Sequence, residues 1–249
     1  MRHVVVTMAA CITYCNEINC LTMPKLHHFT LDPHGRRLRL SLSEYGVDVQ
    51  LTEERPWQPS AQLPRLNPSG LSPVYVEDSG IAICGPEAIT EYLEETLGQT
   101  KPLIPGSAVA RAEVRRLVSW FDVKFYTEVT EPVLTEKVMR RFVASPTGSS
   151  APNMGRVRHG LQILKSHLEY IGALAEERSW LGGDELSLAD LAAAAHISAI
   201  DYLGDVPWTD HPVAQSWYQR IKSRPSFRVL LADTVQGMAP SAHYADLDF

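Results

Sequence analysis

NPSGLSPVYVEDSGIAICGPEAITEYLEE, residues 67–95, decides the architecture. VYV (74–76) and IAI (81–83) flank Asp78, Ser79 and Gly80, turn formers that fold two short apolar runs into a hairpin. Ile89, Leu93 and Leu97 then recur every four residues, which predicts a helix with one buried stripe. Upstream, KLHHF (25–29) reads as a strand, and a turn at Asp32, Pro33 and Gly35 leads into RRLRLSLSEYG (36–46). There Leu38, Leu42 and Tyr45 share a helical face and Gly46 supplies the stop. VDVQLTEE (47–54) alternates as a second strand should, while prolines at 56, 59, 64 and 68 forbid regular structure in the loop that follows. The order is βαβ, then ββα.

Past Pro105 the strands stop. Leu117, Trp120, Phe121 and Phe125 share one face of a helix beginning near Ala108, and Val157, Leu161, Leu164, Leu168 and Ile171 mark a second, bundle-type helix. SPTGSSAPNMG (145–155) between them is expected to be a mobile connection, and SLADLAAAAHISAIDYL (187–203), apolar nearly all round, a helix at the centre of its domain. The domains expected are an α/β unit over 24–100 and an all-helical unit over 108–235, joined near 101–107, with an acidic-aromatic tail over 236–249. Residues 1–23 do not read as part of the fold. Met23 is the expected start, directly ahead of a convincing strand, and the Val4–Ile12 stretch lacks the cleavage site of an export signal.

Composition narrows the function classes. The 249 residues carry 23 Lys+Arg against 29 Asp+Glu, a formal charge of −6. Nothing there attracts a phosphate backbone broadly, so nucleic acid is not the expected partner. Charges break every apolar run before the roughly 18 to 20 residues a membrane span needs. Cys11, Cys15, Cys20 and Cys84 match no common zinc or disulfide spacing, even with His3 nearby, so they read as reduced thiols of a cytoplasmic protein and no metal is expected.

From residue 25 to about 232 the chain resembles the glutathione transferase superfamily, which joins a thioredoxin-like domain to an all-helical one. The match rests on the 67–95 stretch, on LGGDELSLADLAA (181–193) and on HPVAQSWYQRIKSRPSF (211–227). The resemblance implies a cis peptide at Pro73 ahead of the third strand, and Ser187 as an N-cap answered by Asp190 in a capping box. It also locates a glutathione site, and there the chain departs from the family. Asp32 stands where a Ser or Cys would meet the glutathione thiol, and a carboxylate there raises rather than lowers a thiol pKa. Asp32 fits better as a helix N-cap with Pro33 behind it. Gly85 and Pro86 replace the Glu-Ser pair that holds the γ-glutamyl carboxylate, and Glu87 adds a negative charge. Ser72 could still offer its backbone to a peptide-like ligand, and Thr30 is a nearby hydroxyl.

Within the superfamily the chain is most similar to the glutathione-transferase-like cell-division proteins of alphaproteobacteria that bind FtsZ. The likeness lies in the RPW loop (55–57), the ICG-x-EAI variant (83–89) and the ending HYADLDF (243–249). It implies a noncatalytic, dimeric binder of FtsZ filaments, active at the division site and needing no cofactor. The alternative is a glutathione-dependent transferase or isomerase; a third is a binder of hydrophobic ligands in the interdomain cleft. Trp57 and Arg55 on the proline loop, and Tyr244, Asp246 and Phe249 in the tail, are the candidate partner-binding residues, although Trp57 could instead cover the edge of its domain and the tail could fray. Arg36, Arg37 and Arg39, with Arg115, Arg116, Arg140 and Arg141, are expected on solvated faces and in internal ion pairs. His196 is expected as a satisfied core residue, and His34 lies near any cleft without an evident orienting partner.

Overall fold

The computed structural model describes residues 23–143 and 151–247. The extension at 1–22, with Cys11, Cys15 and Cys20, and most of the 145–155 connection lie outside them. Four strands, β1 (Lys25–His28), β2 (Gln50–Glu53), β3 (Val74–Val76) and β4 (Ala82–Cys84), form one sheet in the order β2-β1-β3-β4. β1 and β2 are parallel with Leu26 opposite Leu51, and the remaining pairs are antiparallel. The second strand is shorter than its alternating sequence, because β1 offers only four rungs and pairing begins where Gln50 N–H meets Pro24 O at 2.8 Å.

Helix α1 (Pro33–Glu44) follows β1, α2 (Leu63–Leu66) is one turn in the proline loop, and α3 (Pro86–Leu97) follows the hairpin. Asp32 caps α1 as expected, its carboxylate accepting from Gly35 N–H at 2.8 Å with Pro33 at the first helical position. The Ser72–Pro73 peptide is cis.

The helical half opens with α4 (Ala108–Ser119), which runs through a π-helical stretch, Trp120–Thr130, into α5 (Glu131–Lys137). Leu117, Phe121, Phe125, Val129 and Val133 recur every four residues and are all fully buried. In an α-helix each such step overshoots by about 40° and would carry the row round to solvent. The wider turn keeps the row inward, and it presents Asp122 to Arg37 and Tyr126 to His34 in the first domain, with Thr130 against His196 of the helical half. Asn153 caps α6 (Met154–Glu177) by accepting from Gly155 and Arg156 N–H. Every residue of α7 (Leu188–Tyr202) is buried, and Ser187 and Asp190 close the expected capping box. α8 (Pro212–Lys222) and α9 (Arg228–Leu231) complete the bundle.

The arginines of α1 are not solvated. Arg36 and Arg37 are fully buried and Arg39 nearly so, because α1 lies between the sheet and α7 and all its faces are covered. Their partners come from distant parts of the chain. Arg36 reaches Ser198 Oγ at 2.8 Å, Thr30 O and Asp233 at 3.0 Å, and Tyr244 Oη. Arg37 meets Thr90 Oγ1 at 2.7 Å and Asp122 at 2.8 Å, and Arg39 meets Asp233 at 2.7 and 2.9 Å. Arg115 and Arg116 do pair at the surface, with Glu91 and Glu113, and the exposed Arg140 pairs with the buried Glu136.

At its far end α1 is clamped to the second domain by Glu44. Arg224 grips that carboxylate at 2.7 and 2.9 Å, with Lys101 Nζ at 2.7 Å and the Ser226 hydroxyl beside it. Burial opposes the charge, but the bonds from Arg224, Lys101 and Ser226 outweigh it and hold the Glu44 pKa at about 2, against an ordinary 4.5. A depressed folded-state pKa contributes stability that is complete above about pH 4.5 and lost as the pH falls toward 2. Urea melts of Glu44→Gln should therefore lie below the parent at pH 7 and converge on it across that acid window; a constant gap would contradict the assignment.

Candidate functional site

Between the domains lies a cleft of ≈ 210 Å³ lined by Asp32, Ser72, Tyr126 and the proline loop. Of the predicted site residues, Asp32 and Ser72 from the ligand-cleft set and Arg55 from the partner-binding set therefore reach it. Pro73 is buried beneath, where its carbonyl accepts from Gly85 N–H at 3.2 Å. Gly85 takes a φ of 89°, which only glycine adopts without strain, and delivers the chain into α3 at Pro86. Glu87 is exposed, and Gly85, Pro86 and Glu87 do not line the cleft.

Behind Asp32 a polar cluster joins α1 to the π-helical stretch and α7. His34 Nδ1 faces Asp32 Oδ1 and its Nε2 faces Asp122 O, each at 3.3 Å, so both ring nitrogens have acceptors. Burial pushes the imidazole down, but the Asp32 hydrogen bond and the charges of Asp32 and Asp122 prevail and raise it to about 9. Burial likewise opposes ionisation of Asp32, and His34 with Gly35 N–H holds it below its ordinary value. Asp122 is held at about 2 by Arg37 and His196 against its own burial. Burial drives His196 down to about 4, so that ring is neutral. The Asp122 carboxylate can only accept, so His196 Nε2 carries the proton over 3.3 Å, and Thr130 Oγ1 donates to Nδ1 at 2.9 Å. His196 is the satisfied core histidine its helix predicts.

His34, by contrast, has an orienting partner the sequence reading missed, although Asp32 stands only two residues away. Asp122 gave no signal, since nothing in a helical row marks one Asp as facing another domain. Ligand atoms of His34, Asp122 and His196 lie within 4.8 Å of one another. With His34 bonded at both nitrogens and Arg37 on the Asp122 carboxylate, the set is balanced by protein charges.

At the positions where the family resemblance puts the donors for a glutathione thiolate and carboxylate, this chain has Asp32 and Gly85-Pro86. Asp32 is an ionised acceptor whose two oxygens face Gly35 N–H and His34. Pro86 heads α3 with neither a backbone N–H nor a hydroxyl, and Gly85 makes no side-chain cap. Thr30 spends its hydroxyl on Glu53 at 2.6 Å and does not line the cleft.

The partner-binding candidates divide. Trp57 stacks on Phe142 of the helical half with ring centroids 4.5 Å apart and meets Phe29 of its own domain edge-on at 5.4 Å, so it packs the proline loop against both. Arg55 is exposed and donates to Gln236 Oε1 at 3.2 Å. Tyr244 cannot anchor a partner: it is fully buried, held by Arg36 and by Leu230 O at 3.1 Å, because the tail docks rather than frays. Ser241 N–H on Tyr202 O at 2.9 Å and His243 on Asp201 at 3.0 Å secure the same segment. Asp246 is exposed, and Phe249 lies outside the described residues. Cys84 is a free thiol facing Leu66 O. Among the described residues no helix is long and apolar enough to cross a membrane.

Comparison with known proteins agrees with this geometry. Residues 33–96 match the glutathione S-transferase N-terminal domain and residues 140–220 its C-terminal domain. The chain is 47% identical over 228 residues, 90% of its length and 97% of the relative's, to FtsZ-localized protein A of Caulobacter vibrioides. A crystal structure of a glutathione S-transferase from Rhodospirillum rubrum superposes with a TM-score of 0.86 at 47% identity, covering 91% of this chain and 100% of that one. The structure of FzlA from C. crescentus superposes at 0.85 with 46% identity and the same coverage. With both domains matched and a relative this similar along nearly its whole length, the chain belongs to the glutathione S-transferase family.

Proposed function

We propose that this chain binds FtsZ filaments at the division site and acts in bacterial cell division as a noncatalytic, cytoplasmic homodimer. The observation that carries the proposal is its 47% identity to FtsZ-localized protein A across 97% of that protein. The altered site supports it: Asp32 serves as a helix cap and pairs with His34, and Pro86 offers no donor. Arg55 and Asp246 are the exposed candidates for the filament contact, and the docked tail holds Asp246 next to a rigid body.

Pelleting of GTP-assembled FtsZ tests the reading. The parent chain should co-sediment, and Asp246→Lys should release most of it to the supernatant, with its melting temperature measured alongside because Asp246 also acts on Lys222. Trp57→Ala is a poorer probe because it also removes packing on Phe29 and Phe142. A parent chain that stays in the supernatant with its cognate FtsZ would refute the proposal. For the competing transferase reading, calorimetric titration with glutathione into the millimolar range should give flat heats; saturation would restore the enzyme.

A further inference from the structure

The interdomain cleft has a chemistry opposite to that of a glutathione site. Phe29, Leu63, Leu71, Leu134 and Met139 supply apolar walls, and three carboxylates, Asp32, Glu54 and Glu131, reach it against one guanidinium, Arg55. Glu54 is buried and engaged by His27 and Ser60. The cations that pair with the other two, His34 and Arg156, stand behind them and do not line the space. Tyr126 lines the same wall, and its phenol senses the local field: it is held up at about 12, first by burial and then by the charges of Asp32 and Glu131. Negative potential in a cleft with low-dielectric walls draws in positive ligands. An aromatic face beside carboxylates adds a quadrupole that attracts the same charge.

We propose that this cleft binds small organic cations, protonated amines carried on a flat apolar body, and that Asp32 is the charge that selects them. The cleft shares Arg55 with the filament contact proposed above, and the ≈ 210 Å³ available suits a bicyclic amine.

Tryptamine and indole-3-propionate share an aromatic body and differ in the sign of their charge, so calorimetric titration of the full chain with each at pH 7 is the test. Tryptamine should bind at least about tenfold more tightly. Asp32→Asn keeps the helix cap, because Asn caps as well as Asp, and should shrink the preference to about threefold or less. Glu131→Gln, read the same way, serves if Asp32→Asn fails to fold. Equal affinities, tighter binding of the anion, no saturation by tryptamine at about 10 mM, or a preference that the folded variants leave intact would each overturn the proposal. Co-sedimentation with FtsZ is measured separately, so the two readings fail separately.

Discussion

Arg36→Ala is expected to remove about 3 to 5 kcal/mol of stability, read as a lower urea midpoint and a melting temperature reduced by roughly 10 °C. The guanidinium is fully buried and serves four parts of the chain at once: Thr30 O, Ser198 Oγ, Asp233 and Tyr244 Oη. Truncation leaves a cavity the length of an arginine and strips a donor from each acceptor, and unmade buried hydrogen bonds are costlier than made ones are favourable. Arg36→Lys should recover less than half of the loss, because an ammonium lacks the planar fork that spans these acceptors. A fall of under about 1 kcal/mol for Arg36→Ala would mean that the interdomain seam does not depend on this residue.

Asp201→Ala should cost a similar amount, about 3 to 5 kcal/mol, for a different reason. The carboxylate is fully buried and receives Trp208 Nε1 at 2.9 Å, Tyr218 Oη at 3.3 Å and His243 Nε2 at 3.0 Å, with Lys222 Nζ 3.8 Å away. Burial already draws the Lys222 pKa down, and Asp201 is the chief influence opposing that. Without Asp201 the ammonium keeps only His243 O, the Tyr218 and Tyr244 rings and the charge of Asp246 against its burial, and the chain folds more readily once it loses its proton. The unfolded chain then binds more protons than the folded one, so the variant's stability should rise with pH from about 7 toward 10. A deficit that stays flat over that range would show that the damage comes from the lost hydrogen bonds of Trp208 and His243 rather than from the stranded charge.

Much of the fold is legible in local chemistry. The Asp78-Ser79-Gly80 turn, the Asp32-Pro33 helix start, the Ser187–Asp190 box and the all-round apolar α7 each depend on neighbours within four residues, and each stands where its sequence says. What local chemistry cannot show is charge burial across distance. Arg36, Arg37 and Arg39 read as solvated or internally ion-paired without a sign of which, until Asp233, Asp122 and Thr90 are brought to them by the second domain and by α3. Tyr244 reads as an exposed anchor for the same reason, since Arg36 lies 208 residues away in sequence. The π-helical stretch did leave a trace, the strict four-residue row from Leu117 to Val133, but an apolar row at that interval also suits an α-helix. At the site, the departures at Asp32 and Pro86 were visible because they change side-chain chemistry, whereas the His34–Asp122–His196 cluster unites three segments that only the packed bundle places together.

The burial of α1 also limits how this protein can be divided. The helix belongs by sequence to the α/β half, yet its arginines and Glu44 find Asp122, Ser198, Arg224, Asp233 and Tyr244 in the other half. Cutting at 101–107 would leave the first half with stranded guanidiniums and the second with stranded carboxylates. A chimera that joins one relative's α/β half to another's helical half should therefore express only when these residues are transplanted as a set, so the unit of exchange for engineers, and for recombination in nature, is the seam rather than the domain.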